Sequence, residues 1–115
     1  MVEIIAIVNR ARAQATKEEL GRIGCAGYTR FTVLGRGKQR GLRDQNGKAS
    51  LSFLPKVLFR IIVEDADEAE TVEAIIRANQ TGQYGDGRVF VMPIECALRV
   101  SEPCTEAMLQ ECAQS

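Results

Sequence analysis

The run Glu3-Ile4-Ile5-Ala6-Ile7-Val8 is apolar at consecutive positions rather than alternate ones, which reads as a strand covered on both faces. Three more strand-like runs follow, Tyr28 to Leu34, Val57 to Val63 and Arg88 to Met92. Pro93 marks the last as an edge strand or the start of a bend. Between the first and second strands, Thr16 precedes Lys17-Glu18-Glu19-Leu20, and Glu19 stands at the spacing of a capping box. A helix is therefore expected from Thr16, weakened and ended by Gly21 and Gly24, with a turn at Cys25-Ala26-Gly27. A second helix is expected from about Asp67 to Asn79, where Ala69, Val72, Ile75 and Ile76 recur at helical spacing. Acids at its start and Arg77 near its end suit the helix dipole.

The order β-α-β-β-α-β is the split βαβ or ferredoxin-like pattern of an α+β domain. Two helices cover only one face of a four-stranded sheet. The strands are apolar on both faces, so the open face needs a partner, and sheets packed face to face in a homo-oligomer are the expectation. The stretch from Gly35 to Lys56 interrupts this frame. It carries Arg36, Lys38, Arg40, Arg43, Lys48 and Lys56 against one acid, Asp44, and glycines at 35, 37, 41 and 47. A connection this long without periodicity is usually functional, and cations among freely turning amides suit a polyanion such as a phosphate chain. A second glycine loop, Thr81-Gly82-Gln83-Tyr84-Gly85-Asp86-Gly87-Arg88, offers converging amides with an arginine at the rim.

A chain of 115 residues makes one domain. Formal net charge is zero, so acids elsewhere, notably Glu64, Asp65, Asp67, Glu68 and Glu70, balance the basic loop. There is no His, and Cys25, Cys96, Cys104 and Cys112 show no CxxC spacing, which argues against the usual zinc sites and any His general base. No signal peptide or membrane span is recognised, so a cytoplasmic location without membrane insertion is expected. Asp86 in its glycine turn reads as ordering that turn rather than as a catalytic base, so no enzyme activity is expected. RNA-recognition domains share this strand order but need aromatics on the open face, which are too few here, so nucleic acid is not expected.

GRGKQRG at 35–41, FLPK at 53–56 and QTGQYGDGRVFV at 80–91 resemble the PII signal-transduction family, over Glu3 to about Arg99. The resemblance implies a homotrimer, with a PII-like domain over residues 1–100, a T-loop at 36–55, a B-loop at 80–88 and a tail at 101–115. It implies ATP or ADP in the clefts between subunits. Gly27, Thr29 and the region of Ile62 would approach base and ribose. The backbone of Gly35, Arg36, Gly37 and Lys38, with the amides of Gly85, Asp86 and Gly87, would hold phosphates, and Arg88 and Arg99 would pair with them. Gln39 would ligate a Mg²⁺ shared by ATP and 2-oxoglutarate. Lys56 and the loop amides from Gly37 to Gly41, Arg40 among them, would hold the 2-oxoglutarate carboxylates. The T-loop would contact a target protein.

Departures refine this picture. No Tyr stands between Gly35 and Lys56, which argues against uridylylation; Ser50 and Ser52 are candidate phosphoacceptors, but serines are common in exposed loops and modification is the weaker reading. Ser101 stands where a second arginine is frequent, and Arg60 where many relatives have an acid. The shortened, Tyr-free loop is most similar to the nitrogenase-associated NifI-type branch. That likeness implies nitrogenase as the target, with an ammonium transporter as another. The alternative is a PII-like adenylate-charge or bicarbonate sensor that does not use 2-oxoglutarate. In the tail, Cys104, Met108 and Cys112 would form one stripe of a short helix docking on the trimer. A Cys104–Cys112 disulfide would require that helix to unwind, because eight residues of helix separate the Cα atoms by roughly 12 Å. Cys25 and Cys96 read as small buried apolar residues.

Overall fold

A computed structural model describes residues 1–25, 27–36, 53–83 and 85–114. The strands are β1 (Val2–Asn9), β2 (Tyr28–Gly35), β3 (Leu54–Val63) and β4 (Gly87–Pro93), and the helices α1 (Ala13–Arg22), α2 (Glu68–Asn79) and α3 (Glu106–Gln114). Short 3₁₀ turns at Arg10–Arg12 and Asp65–Asp67 lead into α1 and α2. The sheet order is β2-β3-β1-β4, and every neighbouring pair is antiparallel. This is the expected α+β, ferredoxin-like architecture.

Side-chain alternation along β1 places Val2, Ile4, Ala6 and Val8 under the helices, fully or nearly buried. Val57, Phe59 and Ile61 join them from β3, with Leu20 of α1 and Ile75 of α2 closing the core. Tyr28 meets the Phe59 ring edge-on at 5.5 Å between centroids. Two side chains lock the helices together, one buried and one exposed. Asn79 donates through Nδ2 to Thr16 Oγ1 and to the Ile75 carbonyl, both at 2.9 Å. Arg12 donates to the Ala78 carbonyl from Nε at 2.9 Å, closing the end of α2.

The opposite sheet face is open. Register aligns Phe31, Leu58, Ile7 and Arg88 in one row, and Thr29, Arg60, Ile5 and Phe90 in the next. Phe31 and Phe90 are each 45% exposed, and Ile62 and Met92 are also open to solvent. The alternating burial of β1 shows that the single chain covers only one face. An ion pair between Arg60 and Glu3 crosses the open one.

Several sequence expectations change. Thr16 is not the cap of α1 but lies inside it, buried, its hydroxyl donating to the Arg12 carbonyl at 2.8 Å. Glu19, rather than reaching back to Thr16, accepts from Arg22 at 2.8 Å and Arg77 at 3.0 Å. These two arginines hold its carboxyl below the usual carboxylate range. β3 begins at Leu54, so Leu54 and Pro55 pair with Gly35 and Leu34 although they fall within the expected 36–55 loop. Pro93 ends β4, an edge strand, where a missing N–H costs nothing. Cys96 is exposed rather than buried and is disulfide-bonded to Cys112, with a Cα separation of 5.2 Å. The tail helix forms, but Cys104 precedes it, exposed and free. Cys25 is half-buried against the core, and burial pushes its thiol up, with a smaller contribution from Asp67.

Candidate functional site

Strand β1 ends at Asn9, whose neighbour across the ladder is Lys56 of β3, while Val8 faces Gly87 of β4. Lys56 Nζ donates to Asn9 Oδ1 at 2.5 Å, and Asn9 Nδ2 donates to the Gly85 carbonyl at 2.7 Å. One side-chain amide thus ties the returning base of the long loop to the glycine loop. A Cβ at Gly35 would press on the Lys56 side chain at 3.0 Å, so glycine there lets the lysine stem lie across the departing strand. Among the described residues Lys56 has a neutral amide partner rather than a carboxylate, which leaves its charge available to an anion. Arg36 and Arg88 form no ion pair among the described residues, and both are exposed. Arg88 projects from the open face opposite Ile7, one row from Asn9.

The glycine loop is shaped from within. Asp86 accepts backbone N–H groups of Thr81 at 2.8 Å and Gly82 at 3.0 Å, and the Thr81 hydroxyl as well. The Thr81 hydrogen bonds hold the Asp86 carboxyl below its ordinary range. Its charge is used inside the loop, so what Asp86 can offer an anion is backbone rather than side chain. Gly87 has φ +123, and a Cβ there would collide with the Ile7 carbonyl oxygen. Glycine is required for the loop to enter β4 against β1. The arrangement presents cations and convergent backbone at one end of the sheet, as a site for a phosphate or carboxylate group requires.

Gly27, Thr29 and Ile62 lie at the other end. Gly27 and Ile62 line a cleft of about 380 Å³ with Met1, Glu64, Asp67 and Glu70. Thr29 is opposite Arg60 on the open face. Three carboxylates at this cleft disfavour a phosphate and suit a neutral group with hydrogen-bond donors. Thr29 and Gly35 are six positions apart along β2, as are Lys56 and Ile62 along β3, each roughly 20 Å at about 3.3 Å per residue. β4 runs back toward Met1, and Ile94 N donates to the Met1 carbonyl at 3.0 Å, five positions before Arg99. Arg99 is exposed and pairs only loosely with Glu102, at 3.6 Å.

The structure therefore brings together Gly35, Arg36, Lys56, Gly85, Asp86, Gly87 and Arg88, and separates them in the same chain from Gly27, Thr29 and Ile62, while Arg99 lies in the segment after β4. Gly37, Lys38, Gln39, Arg40 and Gly41 lie outside the described residues, as do Ser50 and Ser52. Sequence reasoning missed Asn9, an unremarkable residue at the end of an apolar run, and Arg12, which fastens α1 to the helix leading into the glycine loop. The signal for Asn9 was its place: the last residue of a central strand, level with both loops.

The family described as Nitrogen regulatory protein P-II matches residues 1–103. A protein of Methanobacterium ivanovii named nitrogen fixation nifHD region GlnB-like protein 2 is 39% identical, covering 87% of this chain and 91% of the relative. A protein of the same name from Methanococcus maripaludis is 38% identical over 87% of this chain and 92% of its own length. Nitrogen regulatory protein P-II 2 of Methanothermobacter thermautotrophicus is 34% identical, over 87% and 89% respectively.

Proposed function

The chain belongs to the nitrogen regulatory P-II family, and on that premise we propose that it is a nucleotide- and 2-oxoglutarate-responsive regulator of a nitrogen-metabolism target. ATP or ADP would lie with its phosphates on Gly35, Arg36, Gly85, Asp86, Gly87 and Arg88. Its base would lie against Gly27, Thr29 and Ile62, and Arg99 would reach its phosphates. The observation that carries the reading is the Asn9 bridge, which sets Lys56 and the glycine loop against one another without neutralising the lysine.

The base cluster and the phosphate cluster of one chain lie at opposite ends of the sheet, roughly 20 Å apart along the strands. That separation supports a site to which two copies each contribute one end. The open apolar face, with Phe31 and Phe90 exposed, supplies the surface on which copies would associate as a homotrimer. Mg²⁺ would be held by Gln39, phosphate and 2-oxoglutarate, all oxygen donors of the kind it prefers. The metal and Lys56 would offset the repulsion between triphosphate and dicarboxylate. The loop at 36–55 would contact the target. The names of relatives from nitrogen-fixation gene regions make nitrogenase the first target to test, ahead of an ammonium transporter. Regulation by contact, not catalysis, is the proposed role. Among the described residues no helix is long and apolar enough to cross a membrane.

Calorimetric titration of 2-oxoglutarate into the protein with Mg²⁺ and ATP, with Mg²⁺ and ADP, and with Mg²⁺ alone tests this directly. Binding only with ATP present is expected. Nucleotide binding with no 2-oxoglutarate binding under any condition would instead favour the adenylate or bicarbonate sensor, for which Ser101 leaves room.

A further inference from the structure

A covalent bond joins the tail helix to the segment that leaves the sheet. Among the described residues no element makes an extensive contact with α3, Val100 is fully exposed, and Leu98 and Leu109 are about half exposed. After the Ile94–Met1 hydrogen bond, the disulfide between exposed Cys96 and half-buried Cys112 is what brings α3 back to the sheet. The bond closes a loop across 16 positions that contains Arg99, its partner Glu102 and the free, exposed thiol of Cys104. Inside the loop, Thr105 accepts the Met108 N–H at 3.2 Å and starts the helix. An exposed disulfide of this kind is open to thiol attack.

We propose that Cys96–Cys112 is a thiol-redox site whose state sets how firmly Arg99 is presented to a nucleotide phosphate. This rests on the reading of Arg99 given above. In the oxidised chain the closed loop restricts the positions open to Arg99, so less freedom is lost when it binds. A dithiol reductant opens the loop. One of its thiolates attacks a cysteine sulfur to form a mixed disulfide, and its second thiol displaces that sulfur. The dithiol is oxidised to a disulfide, and two electrons and two protons pass to Cys96 and Cys112 as thiols. Cys104, free, exposed and midway along the loop, is a thiol to which the bridge could exchange.

The test uses the full chain carrying Cys104→Ser, which removes that exchange, in oxidised form and after reduction with dithiothreitol. Alkylation and mass measurement should count one free thiol, Cys25, in the first and three in the second. Amide hydrogen exchange across 97–111 should rise on reduction, and MgADP should bind about tenfold more weakly, the order expected for impairing one charge-assisted contact. Adding Cys112→Ser should give the weaker affinity under both conditions, and Arg99→Ala should abolish the difference. Unchanged tail exchange on reduction, or equal MgADP affinity in the two states, would overturn the proposal. Tail exchange that responds to reduction in a chain that binds no nucleotide in either state would uphold the clasp and sink the reading of Arg99 instead.

Discussion

Asn9 is the residue on which the loop end of the sheet depends. It accepts from a charged lysine and donates to a glycine carbonyl, so neither partner is satisfied by chance contact alone. Asn9→Ala should cost about 1–3 kcal/mol, as for a hydrogen bond to a charged group, and be read as at least a fivefold loss of ATP affinity with little change in helix content. Asn9→Asp is the sharper probe. It keeps the bond to Lys56 but replaces a donor to Gly85 with a carboxylate and neutralises the lysine. Affinity for 2-oxoglutarate should therefore fall more than affinity for ADP; equal losses would show that Lys56 has no special part with the dicarboxylate. Residue-scale chemistry was the part least legible from the sequence. Lys56 was recognisable through FLPK and Arg88 through its glycine loop, but Asn9 has no motif. Its importance arises from antiparallel register, which places it beside Lys56 and level with Gly87.

At the scale of elements, the glycine loop is a small folded unit with its own requirements. Gly87→Ala should push β4 away from β1, since the added carbon meets the Ile7 carbonyl and the backbone has to leave φ +123. A loss of about 2 kcal/mol or more is expected in chemical denaturation, beyond an ordinary glycine substitution. Asp86 gives the loop an acid limit. Its folded carboxyl titrates below the ordinary Asp value, so its contribution is present above about pH 4 and is lost as pH falls through the folded value. Denaturation midpoints measured between neutral pH and pH 2 should fall less steeply on the acid side for Asp86→Asn than for the parent chain. Elements were read well where periodicity decides, as in α2 and the apolar strands. They were read poorly where side chains compete. The Thr16–Glu19 spacing predicted a cap, but burial of Thr16 against Asn79 and the pull of two arginines on Glu19 decided otherwise. The Cys96–Cys112 bridge was invisible because nothing in the spacing says that the chain after α3 begins turns back to residue 96.

For the whole molecule, the open sheet face and the divided site make the same demand. Continuous apolar character along β1 and β3 made an apolar open face legible in the sequence, and the exposed Phe31, Phe90, Ile62 and Met92 locate it. Phe90→Glu should give a monomer by light scattering at concentrations where the parent chain is associated, because it would place a charge on that face without disturbing the buried core. That monomer should also lose nucleotide affinity, since it cannot bring the Ile62 end of one chain to the Arg88 end of another. The most direct measurement mixes two defective chains. Arg88→Ala removes a phosphate cation and Ile62→Glu places a charge at the base cleft, and each alone should bind ATP weakly. Co-assembled after unfolding and refolding together, they should recover tight binding at a fraction of the sites, those where intact halves from different chains meet. Calorimetry would show that fraction as a returning high-affinity phase. Absence of recovery in verified mixed oligomers would contradict a site shared between chains.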